Sequence, residues 1–81
     1  MGAPLKEKFP VGTHIRIKGK VYLEKFKTEW KYHHALSVDQ IQAADRIDRI
    51  RKVGFYHGGD VLCDLEHTPG TWNEECLEPI I

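Results

Sequence analysis

The sequence predicts a mainly β domain, a small five-stranded barrel with one short helix inserted at about residues 38–46. Three observations lead to this expectation. Apolar and polar residues alternate over 60–66, which is the period of a half-buried strand. Turn-forming residues interrupt this alternation on both sides, at Gly58-Gly59 and at His67-Thr68-Pro69-Gly70. The clearest helical signal is the start of the short helix at Ser37.

The C-terminal third gives the firmest pattern. Gly58-Gly59 suits a two-residue hairpin turn, and Val61, Cys63 and Leu65 then share one buried face while the carboxylates between them lie mostly in water. After Gly70 the segment 71–73 is expected to pair back as a further strand. Residues 74–77 lose the alternation and come shortly before Pro79, which predicts one turn of 3₁₀ helix and a short final strand.

This ending resembles that of SH3-like barrels. The similarity rests on Gly70-x-Trp72, a polar turn, and Leu77-Glu78-x-Ile80, and it is strongest over 54–81. It implies that the fourth strand runs through a 3₁₀ turn into a last strand that closes the barrel. Such barrels have many unrelated activities, so the resemblance concerns the fold. The loop Phe26–Trp30 and the closing turn do not match the motifs of proline-binding SH3 domains.

The N-terminal half shows strand periodicity of a less regular kind. Apolar residues occupy odd positions at Val11, Ile15, Ile17, Val21 and Leu23, which predicts one half-buried strand with a bulge or bend at Gly19. Residues 24–36 alternate more weakly, and we expect a protruding arm or a long first loop there.

Ser37 opens the predicted helix, because Ser37-Val38-Asp39-Gln40 has the form of a capping box. Apolar residues then recur every third position from Val38 to Val53, and a single helix or strand cannot bury all of them on one side. We therefore expect the helix to end near Arg46 and a strand to run over 47–57 with an irregularity near 49–52. The alternative is a helix that continues to Lys52, supported by acid-to-base pairs at i,i+4.

The length and composition are those of a single domain, 1–81, in which we expect 1–8 to be flexible. No apolar run approaches the roughly 20 residues of a membrane helix, so a soluble, cytoplasmic protein is expected.

The net charge is zero, but residues 1–36 contain eight basic and three acidic residues whereas residues 53–81 contain six acidic and no basic ones. We expect ion pairs between neighbouring strands to cancel much of this asymmetry. The alternatives are a dipolar domain that associates with itself and a basic patch for an anionic partner.

Few residues suggest chemistry. Cys63 alternates with core residues and is expected to be a small buried side chain, with a bridge to Cys76 or a lone reactive thiol as the alternatives. His57 and His67 flank the central hairpin, but no histidine or cysteine has the spacing of a zinc site. No nucleophile or phosphate-loop motif is present. We therefore predict no catalytic residue, no metal and no cofactor.

The residues 24–36 carry more aromatic side chains than a small barrel must bury, which favours a protein-interaction module or a small accessory subunit, acting on a protein partner or by self-association. The predicted partner-binding residues are Phe26, Trp30, Tyr32, Tyr56 and Trp72. Tyr56, Trp72 and Trp30 could also form an aromatic cage of the kind found in Tudor-like barrels. One alternative is single-stranded nucleic-acid binding, because lysines alternate with the aromatic residues of the arm. A further alternative is an enzyme formed at an oligomer interface. No membrane partner is expected.

Overall fold

The computed structural model describes residues 8–29, 36–55 and 60–80. In these residues the protein is mainly β, with five strands, two helices and one 3₁₀ turn. The elements in order are β1 (His14–Ile17), α1 (Lys20–Thr28), α2 (Val38–Ile41), β2 (Ile47–Phe55), β3 (Val61–Leu65), β4 (Thr71–Asn73), the 3₁₀ turn (Glu74–Cys76) and β5 (Leu77–Pro79). Both helices therefore belong to the connection between β1 and β2.

The five strands form one antiparallel sheet in the order β4-β3-β2-β1-β5. The last strand returns to pair with the first, so that Arg16 lies opposite Glu78 on β5 and opposite Ile47 on β2. Within the described residues β4 and β5 are the two edges and do not pair with each other. The predicted closure of the sheet into a barrel is therefore not confirmed.

The C-terminal predictions are confirmed. β3, β4, the 3₁₀ turn and β5 all occupy the segments that the sequence indicates. Asn73 starts the 3₁₀ turn by accepting a hydrogen bond from the backbone N–H of Glu75 at 2.9 Å. The burial of two residues differs from the prediction. Leu62 and Asp60 alternate with the predicted buried face of β3, but they are themselves only 2% and 7% exposed. The predicted Gly58-Gly59 turn lies outside the described residues.

β2 is the longest strand and the link between the two ends of the sheet. It pairs with β1 through its first half and with β3 through its second half, and its register against β3 shifts between Ile50 and Lys52. This is the irregularity predicted near 49–52, and the alternative of a helix continuing to Lys52 is wrong. The threefold apolar period does not mark one buried face, because residues three apart on a strand lie on opposite sides: Ile50 is fully buried whereas Ile47 is 61% exposed.

α1 corrects the prediction of a strand over 11–23 and of an extended arm directly after it. Gly19 is the N-cap residue of this helix and not a bulge. Leu23 and Phe26, three residues apart, form its buried face, while Val21 is 84% exposed. The helix is favoured locally by ion pairs at i,i+4, which join Lys20 to Glu24 and Lys25 to Glu29 and contribute roughly 0.2–0.5 kcal/mol each.

The core lies between the sheet and the two helices. Trp72, Ile15, Ile17, Leu23 and Ile50 are completely buried there. Each such side chain stabilises the fold by about 1.5–3 kcal/mol relative to an exposed position. Among the described residues, no helix has the length and apolar character needed to cross a membrane.

Candidate functional site

The surface around α2 combines a helix with two concave grooves, and we call it the α2 surface. On one side, the helix groove separates α2 from α1. On the other, the turn groove separates α2 from the turn between β3 and β4. Gln42, at the C-terminal end of α2, lines both grooves, so the two grooves are neighbours.

A capping box fixes the start of α2. The hydroxyl oxygen of Ser37 accepts a hydrogen bond from the backbone N–H of Gln40, and the side-chain oxygen of Gln40 accepts one from the backbone N–H of Ser37. This confirms the predicted capping box. A four-residue helix is too short to be stable alone, so these bonds and tertiary contacts must hold it in place.

Gln40 also connects α2 to the sheet. Its side-chain nitrogen donates a hydrogen bond to the carbonyl of Thr71 on the edge strand β4, at 2.9 Å. Gly70 lies directly against the same side chain, since a Cβ atom at Gly70 would be 2.7 Å from the Gln40 nitrogen. The turn groove therefore has two walls that are fixed relative to each other.

Asp48 holds the turn that forms the second wall. Its buried carboxylate accepts hydrogen bonds from the backbone N–H groups of Arg49 and His67 and, at 2.6 Å, from the hydroxyl of Thr68. Burial raises the pKa of the Asp48 carboxyl, but the bonds from Thr68, Arg49 and His67 together outweigh it and leave the pKa below its ordinary value. The carboxylate is therefore a structural group that orders residues 67–68.

The helix groove has a volume of about 570 Å³ and is partly aliphatic and partly charged. Val38 and Ile41 supply the aliphatic part. The charged part comes from α1, where Lys20 and Glu24 form a loose ion pair at 3.8 Å. The complete lining is Lys20, Glu24, Lys27, Thr28, Val38, Ile41 and Gln42.

The turn groove has a similar volume, about 600 Å³. Its charged groups are Arg46 and Asp39, and its apolar contacts come from Ala43 and Pro69. The complete lining is Ser37, Asp39, Gln40, Gln42, Ala43, Arg46, Thr68, Pro69 and Gly70.

Val38 gives the α2 surface an apolar contact point. The sequence period placed it with buried residues, but its side chain is 59% exposed at the beginning of α2. An exposed valine among the charged and polar residues of the helix groove provides the mixture of apolar and polar contacts that protein interfaces commonly have.

A third, smaller groove lies on the outer face of the sheet. It has a volume of about 320 Å³ and is lined by Arg16, Ile47, Pro79 and Ile80. Its arginine is already paired, because Arg16 binds Glu78 at 2.8 Å. The outer face is therefore a weaker candidate than the α2 surface, where the cavities are larger and less of the polar lining is paired.

The structure corrects two of the predicted partner-binding residues. Trp72 is completely buried on β4 and Phe26 is 9% exposed, so both belong to the core of the domain. Their side chains are members of one buried cluster, where a partner has no direct access. Trp30, Tyr32 and Tyr56 lie outside the described residues, and a role for them stays a prediction.

The cysteines are both free and buried, so the alternative of a bridge between them is wrong. Burial in the core raises the pKa of each thiol, Cys63 and Cys76, to about 12. Neither is therefore ionised near neutral pH, as a nucleophile or metal ligand must be. In the part of the chain that the structure describes, no three histidine, cysteine or acidic side chains lie close enough together to hold a metal ion.

Among the described residues, two ion pairs join the basic N-terminal half to the acidic C-terminal third. Lys8 binds Glu75 at 2.9 Å, and Arg16 binds Glu78 at 2.8 Å. Arg49 binds Glu66 at 2.7 Å across β2 and β3. These pairs are partly exposed and contribute little stability, but they reduce the local field.

Comparison of the chain with protein-family profiles, with curated proteins and with solved structures finds no significant match.

Proposed function

We propose that this chain is a non-catalytic protein-interaction domain that docks a protein partner on the α2 surface. The observation that supports this proposal best is the exposure of Val38 in the helix groove, which shares Gln42 with the neighbouring turn groove. A partner that covers Val38 would remove an exposed apolar side chain from water and would reach polar groups on both sides.

The rigidity of the surrounding structure favours the same site. Gln40 fixes α2 to β4, and Asp48 fixes the turn on the far side of the turn groove. A surface that is already ordered loses little conformational entropy when a partner binds. The buried polar residues Gln40 and Asp48 therefore have a structural role. The exposed residues Val38, Gln42 and Arg46 are available for contacts with a partner.

We further propose that the fold is an SH3-like barrel. The strand order, with β5 beside β1 and the 3₁₀ turn between β4 and β5, agrees with the ending from which the resemblance was drawn. In this interpretation α1 and α2 replace the long first loop, which lies between the first two strands. The proposed docking site then lies in the insertion that distinguishes this chain from a plain barrel.

The predicted aromatic arm adjoins the same site in sequence. Thr28, the last residue of α1, lines the helix groove, and Trp30 and Tyr32 come shortly after it in the sequence. We retain the proposal that Trp30 contributes to partner binding. Replacement of Trp30 by alanine should then weaken association without unfolding the domain.

The alternative of single-stranded nucleic-acid binding has less support. It requires aromatic rings and lysines on one open surface. Phe26 is buried, and two lysines of α1, Lys20 and Lys25, are paired with glutamates on the same helix. An oligonucleotide would therefore meet a helix of mixed charge.

The experiment compares Val38→Asp with Val11→Asp. Both valines are exposed, by 59% and 64%, but Val11 lies before β1 and lines neither groove. The wild-type chain is used to capture proteins from a cell extract, each candidate is purified, and its binding is measured again with pure components. Sedimentation velocity of the isolated chain shows whether the partner is a second copy.

Loss of binding in Val38→Asp with retention in Val11→Asp supports the proposal. Equal binding by both variants contradicts the α2 surface as the docking site. A chain that sediments as a monomer and binds no purified candidate contradicts the interaction function as a whole.

A further inference from the structure

Arg46 differs from the other arginines in the way its charge is used. Arg16, Arg49 and Arg51 each pair with a carboxylate, those of Glu78, Glu66 and Asp64 respectively. Arg46 is exposed and has no ion-pair partner among residues 8–29, 36–55 and 60–80. It is also the one arginine that lines the turn groove.

The backbone at Arg46 is held firmly. Its N–H donates to the carbonyl of Ala43 at 3.1 Å, and its own carbonyl accepts from the N–H of Ile17 at 2.9 Å. The preceding residue, Asp45, has a positive φ of 67° and donates its N–H to Ile17 at 3.0 Å. The guanidinium therefore projects from a fixed point where the chain turns from α2 into β2.

We infer that the turn groove binds a carboxylate side chain of an acidic peptide segment in the partner, with Arg46 as the group that pairs with it. This inference rests on the proposed function and names the chemistry of the partner. Guanidinium and carboxylate match in shape and can form two parallel hydrogen bonds, which gives the contact direction as well as strength.

The second charge of the groove selects a peptide over a simple anion. Asp39 lines the same groove, and its carboxylate repels every anion there, so a ligand that also offers hydrogen-bond donors to Asp39 is favoured over a phosphate or a nucleic-acid backbone. An acidic residue inside a peptide brings backbone N–H groups close to its own carboxylate. The carboxylate can then pair with Arg46 while an N–H donates to Asp39.

The adjacency of the two grooves at Gln42 favours an internal acidic residue over a free C-terminus. Because Gln42 borders both grooves, a segment that occupies the turn groove can continue past Gln42 towards Val38 and the helix groove. Such a path needs chain on both sides of the carboxylate. An apolar residue near the acidic one would then cover Val38.

The test uses NMR titration of the full ¹⁵N-labelled chain with small probes. The first probe is N-acetyl-glutamate N-methylamide, in which the side chain carries the carboxylate and both ends are amides. The neutral control is N-acetyl-glutamine N-methylamide, and N-acetyl-glutamine with a free carboxyl group represents a chain terminus. Inorganic phosphate and a thymidine oligonucleotide represent the nucleic-acid alternative.

The inference predicts that the glutamate probe shifts the Arg46 side-chain resonance and the backbone resonances of Gln42 and Gly70, and that the glutamine control does not. Arg46→Gln should weaken this binding about tenfold or more, the loss expected for a charge-assisted hydrogen bond. Arg51→Gln is the matched control, because Arg51 is an exposed arginine outside the groove, and it should bind as wild type does.

Absence of any shift at Arg46 up to the solubility limit of the glutamate probe overturns the inference, as do equal shifts with the glutamine control. A stronger response to the free terminus, to phosphate or to the oligonucleotide also overturns it, because it assigns another ligand to the groove. The proposed function is tested separately: a partner that is lost by Val38→Asp but retained by Arg46→Gln contradicts only the carboxylate site.

Discussion

The side-chain nitrogen of Gln40 donates a hydrogen bond to the carbonyl of Thr71, and this bond joins a four-residue helix to the edge strand of the sheet. The same side chain completes the capping box of α2 and is 7% exposed. One residue therefore fixes both the start of the helix and its position over β4.

Gln40→Ala should cost more stability than Ser37→Ala. The serine variant loses only the cap, at about 1 kcal/mol. The glutamine variant loses the reciprocal cap and also leaves the Thr71 carbonyl without its donor, for a total of about 2–3 kcal/mol. Urea denaturation of both variants checks the order, and a Gln40→Ala variant no less stable than Ser37→Ala would show that the bond to Thr71 contributes nothing.

Gly70→Ala should destabilise the domain for two separable reasons. Gly70 has a φ of +105°, and a residue with a side chain loses about 1–3 kcal/mol of stability in this conformation. In addition, the methyl group of the alanine would collide with the side chain of Gln40. Gly12→Ala is the matched control, since Gly12 has a φ of +93° but open space around it.

The difference between the two glycine variants measures the collision. In the double variant Gly70→Ala with Gln40→Ala, the stability lost to the collision should be recovered, because the obstructing side chain is then absent. Equal costs for Gly70→Ala and Gly12→Ala would mean that Gln40 moves aside freely, and the close packing of the turn groove wall would then be disproved.

Asp48 should make stability depend on pH in the acid range. Its pKa in the folded protein lies below the ordinary value of 3.8, so the unfolded chain takes up the proton first as the pH falls. The contribution of Asp48 is therefore complete above its unfolded pKa and is lost as the pH falls through the folded pKa.

Asp48→Asn removes this contribution and should cost about 1–3 kcal/mol at neutral pH. Free energies of unfolding measured between neutral pH and the acid range should converge for wild type and variant as the pH falls. A constant difference across the whole range would show that the charge of Asp48 is not what holds His67 and Thr68.

The two thiols should be unreactive in the folded protein. Burial raises the pKa of Cys63 and Cys76 to about 12, so almost no thiolate is present at pH 8. A disulfide reagent such as DTNB should label both cysteines only as fast as the domain opens, and labelling should become fast in denaturant. Rapid labelling of the native chain would contradict the burial of these residues in the core.

The parts of the fold that local sequence specifies were predicted correctly. β3, β4 and the 3₁₀ turn follow from alternation and from the turn chemistry of Pro69 and Gly70, and the capping box at Ser37 follows from side-chain spacing. The irregularity in β2 was also predictable, because a threefold apolar period fits no regular element.

α1 was missed because odd-numbered apolar positions continue across Gly19 by coincidence. The contrary signals were present in the spacing of Leu23 and Phe26 and in the pair of Lys20 with Glu24.

Aromatic content misled the site prediction in a similar way. A sequence shows that Trp72 and Phe26 are large, but whether they fill the core depends on the packing of distant elements.

The lack of an ion-pair partner for Arg46 among the described residues could not be read from the sequence. Four arginines look alike there, and the difference between them depends on which acidic residues the sheet register places opposite each. The exposure of Val38 likewise depends on how α2 lies over β4. Both are consequences of tertiary structure.

The most direct measurement of the central claim is calorimetric titration of a purified partner into the wild-type chain, Val38→Asp and Val11→Asp. If the α2 surface is the docking site, binding by Val38→Asp is lost or weakened by at least about tenfold, as for a central interface residue, while Val11→Asp binds as wild type does. Equal affinities for all three chains, with each variant shown to be folded, would contradict the account.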